Sequence, residues 1–188
     1  GILQMMSMGG EGSIVERLQQ LHLVPLSISY EYDPCDFLKA KEFQQKRDNP
    51  AWKKGPTDEL VSMQTGIFGY KGHVHYHAAP CLDEYLAGID PATPKNDLYN
   101  QVAAYIDQQI HRNYRLYPGN YVALDLLEGS LRHVAHYTEE EKVKFEHYIG
   151  GQLAKIELPD KDESFLKERL LTMYANPVRN HEAALAAE

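Results

Sequence analysis

The chain has 188 residues, about one domain with an elaboration at one end. Its composition, 43% apolar and 24% charged, is that of a soluble globular protein and excludes disordered, collagen-like and low-complexity classes. Nineteen Lys plus Arg against 27 Asp plus Glu leave a net charge of −8, which argues against a nucleic-acid module built on a basic face.

Two cysteines, Cys35 and Cys81, are too few for a disulfide scaffold or a cysteine-based zinc site, and read as free thiols of a reducing cytoplasm. No stretch approaches the roughly 18 consecutive apolar residues of a membrane-spanning helix, so any membrane contact is expected to be peripheral.

Ile2, Met5 and Met6 fall at i, i+3 and i+4, which predicts an amphipathic helix already under way at the first residues and, with it, a piece cut from a longer protein. Gly9-Gly10 ends that helix. Gly12-Ser13 predicts the cap of a second one, whose stripe is Ile14, Val15, Leu18 and Leu21. A strand follows over residues 23–30, with Leu26, Ile28 and Tyr30 on one face and Pro25 near its start, where a missing N–H is tolerated.

Residues 35–50 predict a helix carrying Phe37, Leu38 and Phe43, and residues 57–63 a shorter one with Leu60, Val61 and Met63. A second strand spans 72–79. Thr93-Pro94 opens a long helix in which Leu98, Val102, Ile106 and Ile110 recur every fourth residue. Asn120 predicts the cap of a helix over 121–128, closed by Gly129 in a left-handed conformation. Thr138 and Glu141 form a capping box, and a last helix over 165–174 is expected to stop at Asn176-Pro177, leaving the tail from Asn180 frayed. The predicted class is α/β: a partial sheet with flanking helices over residues 1–90, then a mostly helical region over 91–188.

Few constellations carry chemistry. His73, His75 and His77 alternate along the second strand and share a face, but neighbours two apart on a strand are about 6.6–6.8 Å apart, which strains a common ligation at about 2.0 Å. A row facing solvent is the expectation, with no metal. No serine-hydrolase elbow, Walker loop or G-x-G-x-x-G follows a strand. Lys39, Lys41, Lys46, Arg47, Lys53 and Lys54 against Glu42 and Asp48 make residues 39–54 a basic outlier, read either as a solvated helix face or as a site for anionic phosphate or lipid headgroups.

Val24-Pro25-Leu26-Ser27-Ile28-Ser29-Tyr30-Glu31, preceded by a helix and a glycine break, resembles the last block of the glycerolipid acyltransferases, with glycerol-3-phosphate and 1-acylglycerol-3-phosphate acyltransferases the nearest kin. Tyr70-Lys71-Gly72-His73-Val74-His75-Tyr76 is similar to a later strand of that family, and the whole chain resembles the C-terminal part of acyltransferase-like proteins of Bacteroidetes-type bacteria. The resemblance covers residues 2 to about 90. It implies transfer of a fatty acyl group from a thioester, on coenzyme A or acyl carrier protein, to glycerol 3-phosphate or a lysophospholipid, in the cytoplasm or peripheral to the inner membrane, without a cofactor.

The family's catalytic His-x4-Asp is missing, since none of the nine histidines has Asp five residues on. Its Glu-Gly-x-Arg is missing too: Glu11-Gly12-Ser13-Ile14 lacks the Arg, and Glu128-Gly129-Ser130-Leu131-Arg132 has it one position late. Both are expected upstream of Ile2, so no catalytic residue is expected here and the chain alone is expected to be inactive. The resemblance implies that Pro25, Tyr30 and Glu31 belong to the substrate cleft; the plainer reading makes Tyr30 core and Glu31 the cap of the helix begun near Pro34. Lys39, Lys41, Lys46 and Arg47 are the candidate anionic or lipid-surface residues. The alternative is a non-catalytic helical module that binds a protein partner or a membrane surface.

Overall fold

The computed structural model describes residues 1–187 as an α/β fold, a partial sheet flanked by helices and followed by a helical C-terminal region. In chain order the elements are α1 (Ile2–Met6), α2 (Ile14–Gln19), β1 (Leu26–Tyr30), α3 (Asp36–Asp48), α4 (Pro56–Phe68), β2 (Val74–Ala78), α5 (Asp83–Ala87), α6 (Lys95–Arg112), α7 (Pro118–Glu128), a 3-10 turn (Val134–His136), α8 (Glu139–Ala154) and α9 (Glu163–Ala186). The sheet is the antiparallel pair β1-β2. Among the described residues no helix is long and apolar enough to cross a membrane.

The chain divides into two compact units, each drawing on both the 1–90 and the 91–188 stretches: Gly1–Ile28, His75–Tyr114 and His181–Glu188 in the first, Ser29–Val74 and Arg115–Asn180 in the second. Each has its own core. In the first, Leu18 of α2, Leu82 and Leu86 at α5, and Leu98, Tyr99 and Val102 of α6 are buried together. In the second, Val122 and Leu124 of α7, Phe145 and Ile149 of α8, and Leu166, Leu170, Tyr174 and Val178 of α9 form the cluster, with Tyr32 and Ala40 against it.

Capping follows the sequence closely. Ser13 Oγ accepts from the Glu16 N–H at 3.2 Å while Glu16 Oε2 takes the Ser13 N–H, and Thr138 and Glu141 repeat the arrangement on α8. Gly129 closes α7 at φ 60°. Helix α7 begins a turn earlier than Asn120 suggested: Pro118 occupies the first turn, and Asn120 reaches back to accept the Tyr117 N–H at 2.8 Å.

Helix α9 corrects two expectations. It runs through Pro177 to Ala186, because the stripe Leu170, Tyr174, Val178 is buried on both sides of the proline and outweighs the roughly 3 kcal/mol that an internal proline costs. Nor is the tail frayed over its described residues: Ala184 is buried, and the His181 ring Nδ1 lies 2.9 Å from the His111 carbonyl.

Three elements face the opposite way from their apolar stripes. On β1, Ser27 and Ser29 are buried while Leu26, Ile28 and Tyr30 are exposed. Ser27 Oγ donates to the Asn113 carbonyl at 3.3 Å, and Ser29 Oγ accepts from the Arg115 N–H at 3.0 Å. On α3 the buried stripe is Asp36, Ala40 and Gln44, with Phe43 outside. Gln44 holds the 160–162 turn, donating to the Asp160 carbonyl at 2.7 Å and accepting the Asp162 N–H at 3.1 Å. Helix α4 buries no residue at all.

Candidate functional site

The two stretches that carry the resemblance lie side by side. In the second unit the Glu31 N–H donates to the His73 carbonyl at 2.9 Å and the Tyr32 N–H to the Lys71 carbonyl at 3.0 Å. Between them Gly72 sits at φ 63°, and a Cβ there would stand 2.5 Å from Glu31 Oε2 and 2.8 Å from the Tyr32 ring, so only glycine fits. The gap lets the Glu31 carboxylate lie over the turn, where Oε2 accepts the His73 N–H at 3.0 Å and meets the ring Nδ1 at 2.7 Å. Burial alone would raise the Glu31 carboxyl, but the His73 backbone and ring outweigh it and hold the group below the usual carboxylate range.

Glu31 therefore ties β1 to the turn before β2 and does not cap the helix begun near Pro34. The N-cap position of α3 is Cys35, which makes no side-chain capping bond, and Asp33 shapes the turn before it, its Oδ1 accepting the Cys35 N–H at 2.9 Å. Tyr30 is 41% exposed and is not core. The His73 ring is exposed and stacks near Tyr117, centroids 6.3 Å apart, while His75 and His77 on β2 are exposed.

Pro25 belongs to the first unit, Tyr30 and Glu31 to the second, and each is placed within its own unit. Pro25 lines a groove of about 650 Å³ with Val24 beside it, Ile2 and Met6 of α1, and Ala103 and Ile106 of α6. Asn100 and Asp107 add polar groups to a mostly apolar lining. The volume falls within the roughly 300–1,000 Å³ of small-molecule sites. Ile106 and Ile110, expected to continue the core stripe of α6, are only partly buried and line this groove. The groove draws on four separate stretches of chain, which is why no single motif announced it.

Most cations of the basic stretch are paired. Lys39 meets Asp33 at 2.5 Å, Lys46 and Lys54 share Glu42 at 2.7 and 3.7 Å, and Arg47 bridges Asp48 at 2.7 Å and Asp162 at 2.8 Å while stacking on the Phe165 ring. The Lys46 hydrogen bond, foremost, holds Glu42 below its usual range. Lys41 has no ion pair among the described residues. Next along the chain comes α4, which turns Leu60, Val61, Met63, Ile67 and Phe68 to solvent, while Ser62 and Gly66 approach the Cys35 thiol.

The second unit also holds a buried His–Asp pair that sequence reasoning passed over. Asp125, at the end of α7, accepts from the His133 N–H at 3.0 Å, the Ser130 hydroxyl at 2.7 Å and the Tyr137 hydroxyl at 2.9 Å, and its Oδ1 lies 2.9 Å from His133 Nδ1. Burial opposes ionisation, but these partners, His133 first, hold the carboxyl below its usual range. Both side chains are 5% exposed or less, so the pair closes the α7 terminus and offers no access to a substrate. Comparison of the chain with protein-family models, with curated proteins and with solved structures finds no match.

Proposed function

We propose that this chain works as the C-terminal part of a glycerolipid acyltransferase, which moves a fatty acyl group from a coenzyme A or acyl-carrier-protein thioester to glycerol 3-phosphate or a lysophospholipid. The observation that carries the reading is the apolar groove lined by Pro25, the residue through which the acyltransferase-like block enters its strand. An alkyl chain suits such a lining, because burying each methylene contributes about 0.8 kcal/mol and the few polar groups at Asn100 and Asp107 leave room to orient one end. Glu31 and Tyr30 serve as scaffold and rim: Glu31 fixes the turn at Gly72, and Tyr30 stays open to solvent. The base on the acceptor hydroxyl lies outside this chain, since no histidine here has its orienting Asp at the family spacing.

The test is binding of a fluorescent long-chain acyl-CoA to the chain. Saturable binding is expected, and Ala103→Trp, which fills the groove from α6, is expected to abolish it without unfolding the protein. Binding that is absent, or unchanged by Ala103→Trp, overturns the reading. So does turnover of acyl-CoA and glycerol 3-phosphate by the chain alone, freed of host enzyme.

A second reading, a non-catalytic module that seats on a membrane surface or a protein partner, is favoured by one observation: α4 buries none of its thirteen residues and presents an apolar face outward. The two readings are compatible, because the lysophospholipid acceptors and the acylated products of this class reside in membranes.

A further inference from the structure

We propose that His22, Cys81 and Asp83 form a binding site for a borderline-soft divalent cation, zinc foremost, in the first unit. One ligand atom from each residue lies within 4.8 Å of the other two. His22 stands just beyond α2 in a left-handed conformation, φ 47°, its N–H held by the Gln19 carbonyl at 3.0 Å. Cys81 and Asp83 flank Leu82, which is buried in the core with Leu18. Two hydrogen bonds lock these segments together: the Leu82 N–H donates to the Leu23 carbonyl at 2.9 Å, and Gln19 Nε2 to the Asp83 carbonyl at 3.1 Å. The backbones that carry the three side chains are therefore fixed before any ion arrives, which lowers the ordering cost of binding.

The second observation is a carboxylate oxygen short of a strong partner. Asp83 Oδ2 meets His22 Nδ1 at 2.6 Å, but Oδ1 is shielded from solvent and makes no regular hydrogen bond, the weakly donating Cys81 thiol being the other group that favours the charged carboxylate. Buried acceptors are nearly always satisfied, and one left over calls for a donor or a Lewis acid. A thiolate, an imidazole and a carboxylate together are a donor set of zinc rather than of calcium or magnesium, and three protein ligands leave a fourth position for water. Tetrahedral ligation at about 2.0–2.3 Å sets ligand atoms roughly 3.3–3.7 Å apart, so the 2.6 Å contact of His22 Nδ1 with Asp83 Oδ2 has to open as the ion enters. The His22 ring, 76% exposed, is free to make that movement. A bound ion would staple the turn after α2 to the start of α5, two segments that only this unit's fold brings together.

The test titrates the reduced, metal-stripped protein with cobalt as a spectroscopic stand-in for zinc. One equivalent is expected to bind with a thiolate-to-cobalt charge-transfer band, to be displaced by zinc, and to lose the band in Cys81→Ser. His22→Ala, at an exposed position that leaves the fold intact by circular dichroism, is expected to weaken binding by roughly tenfold or more, the scale of loss that even outer-shell changes bring. His75→Ala is expected to change nothing. An ion pair only between His22 and Asp83, seen as no stoichiometric cobalt uptake, overturns the proposal. A band that survives Cys81→Ser, or binding that disappears with His75→Ala, overturns it equally.

Discussion

The Tyr174 hydroxyl donates to Asp36 Oδ2 at 2.7 Å across 138 residues of chain, joining the middle of α9 to the first residue of α3. The same hydroxyl accepts the Asp33 N–H at 3.0 Å, and Tyr148 and Gln152 of α8 complete the shell of the carboxylate. Three helices of the second unit thus meet on one buried acid, all of whose partners are neutral. Tyr174→Phe keeps the ring but leaves Asp33 and Asp36 each short of a partner, and is expected to cost about 1–3 kcal/mol in urea unfolding. A loss near zero would mean that the network contributes nothing.

The two buried aspartates of this unit are expected to respond to pH with opposite signs. Burial raises the Asp36 carboxyl above its ordinary 3.8, against the hydrogen bonds from Tyr174, Tyr148, the Phe37 N–H and Gln152. The folded state then holds its proton more tightly than the unfolded chain. Its contribution is complete below 3.8 and is lost as pH rises through the raised folded value. The stability of the wild type relative to Asp36→Asn should therefore fall with rising pH across that window.

Asp125 sits below 3.8, so its contribution is present above that value and is lost as pH falls through the lower folded one. Relative to Asp125→Asn, the wild type should lose stability on acidification. Unfolding curves for both pairs between neutral pH and strong acid decide this. Two difference curves of the same slope would refute the assignments.

Gly119 in the first turn of α7 faces the Phe145 ring of α8 so closely that an added Cβ would lie 2.6 Å from Cδ2. Phe145 is 2% exposed and cannot swing into solvent without leaving the core. Gly119→Ala is expected to cost about 1–3 kcal/mol, although alanine is normally the better helix former. Adding Phe145→Leu should relieve part of that loss. Full additivity of the two changes would show that the contact is not what makes the glycine necessary.

What was legible in the sequence was the local chemistry. The Ser13 and Thr138 caps and the left-handed Gly129 depend on neighbours within a few residues and stand where the sequence puts them, as do Leu98 and Val102 of the α6 stripe. What was not legible was orientation. The alternation of Leu26, Ile28 and Tyr30 marks one face of β1, yet Ser27 and Ser29 are the buried side, because backbone groups at Asn113 and Arg115 wait there for hydroxyl partners. The α3 stripe failed in the same way, since Gln44 satisfies a turn more than a hundred residues away. Helix α5 was missed because it is five residues long, although Leu82, Leu86 and Ile89 at i, i+4 and i+7 were its signal. The groove and the His22, Cys81, Asp83 cluster join segments that no local pattern relates.

The exposed face of α4 leads to the last expectation. Leu60, Val61, Met63, Ile67 and Phe68 are all exposed, Phe68 at 84%, so serine at Ile67 and Phe68 removes no core contact and should change stability by no more than about 0.5 kcal/mol. If the face seats in the headgroup boundary of a bilayer, the double variant should lose most of its binding in vesicle sedimentation, on neutral and anionic vesicles alike. The basic stretch should act differently. Each cation near an anionic surface contributes on the order of 1 kcal/mol. Lys39, Lys46 and Arg47, however, already answer to Asp33, Glu42, Asp48 and Asp162, and the net charge of −8 opposes attraction. Changing Lys39, Lys41, Lys46 and Arg47 to Gln should remove only the salt-sensitive part of binding to anionic vesicles and leave neutral vesicles unaffected. Equal sedimentation of the wild type and the Ile67, Phe68 double-serine variant would sink the membrane role of α4. A loss of several kcal/mol of stability in that variant would show instead that the face is covered by the protein itself.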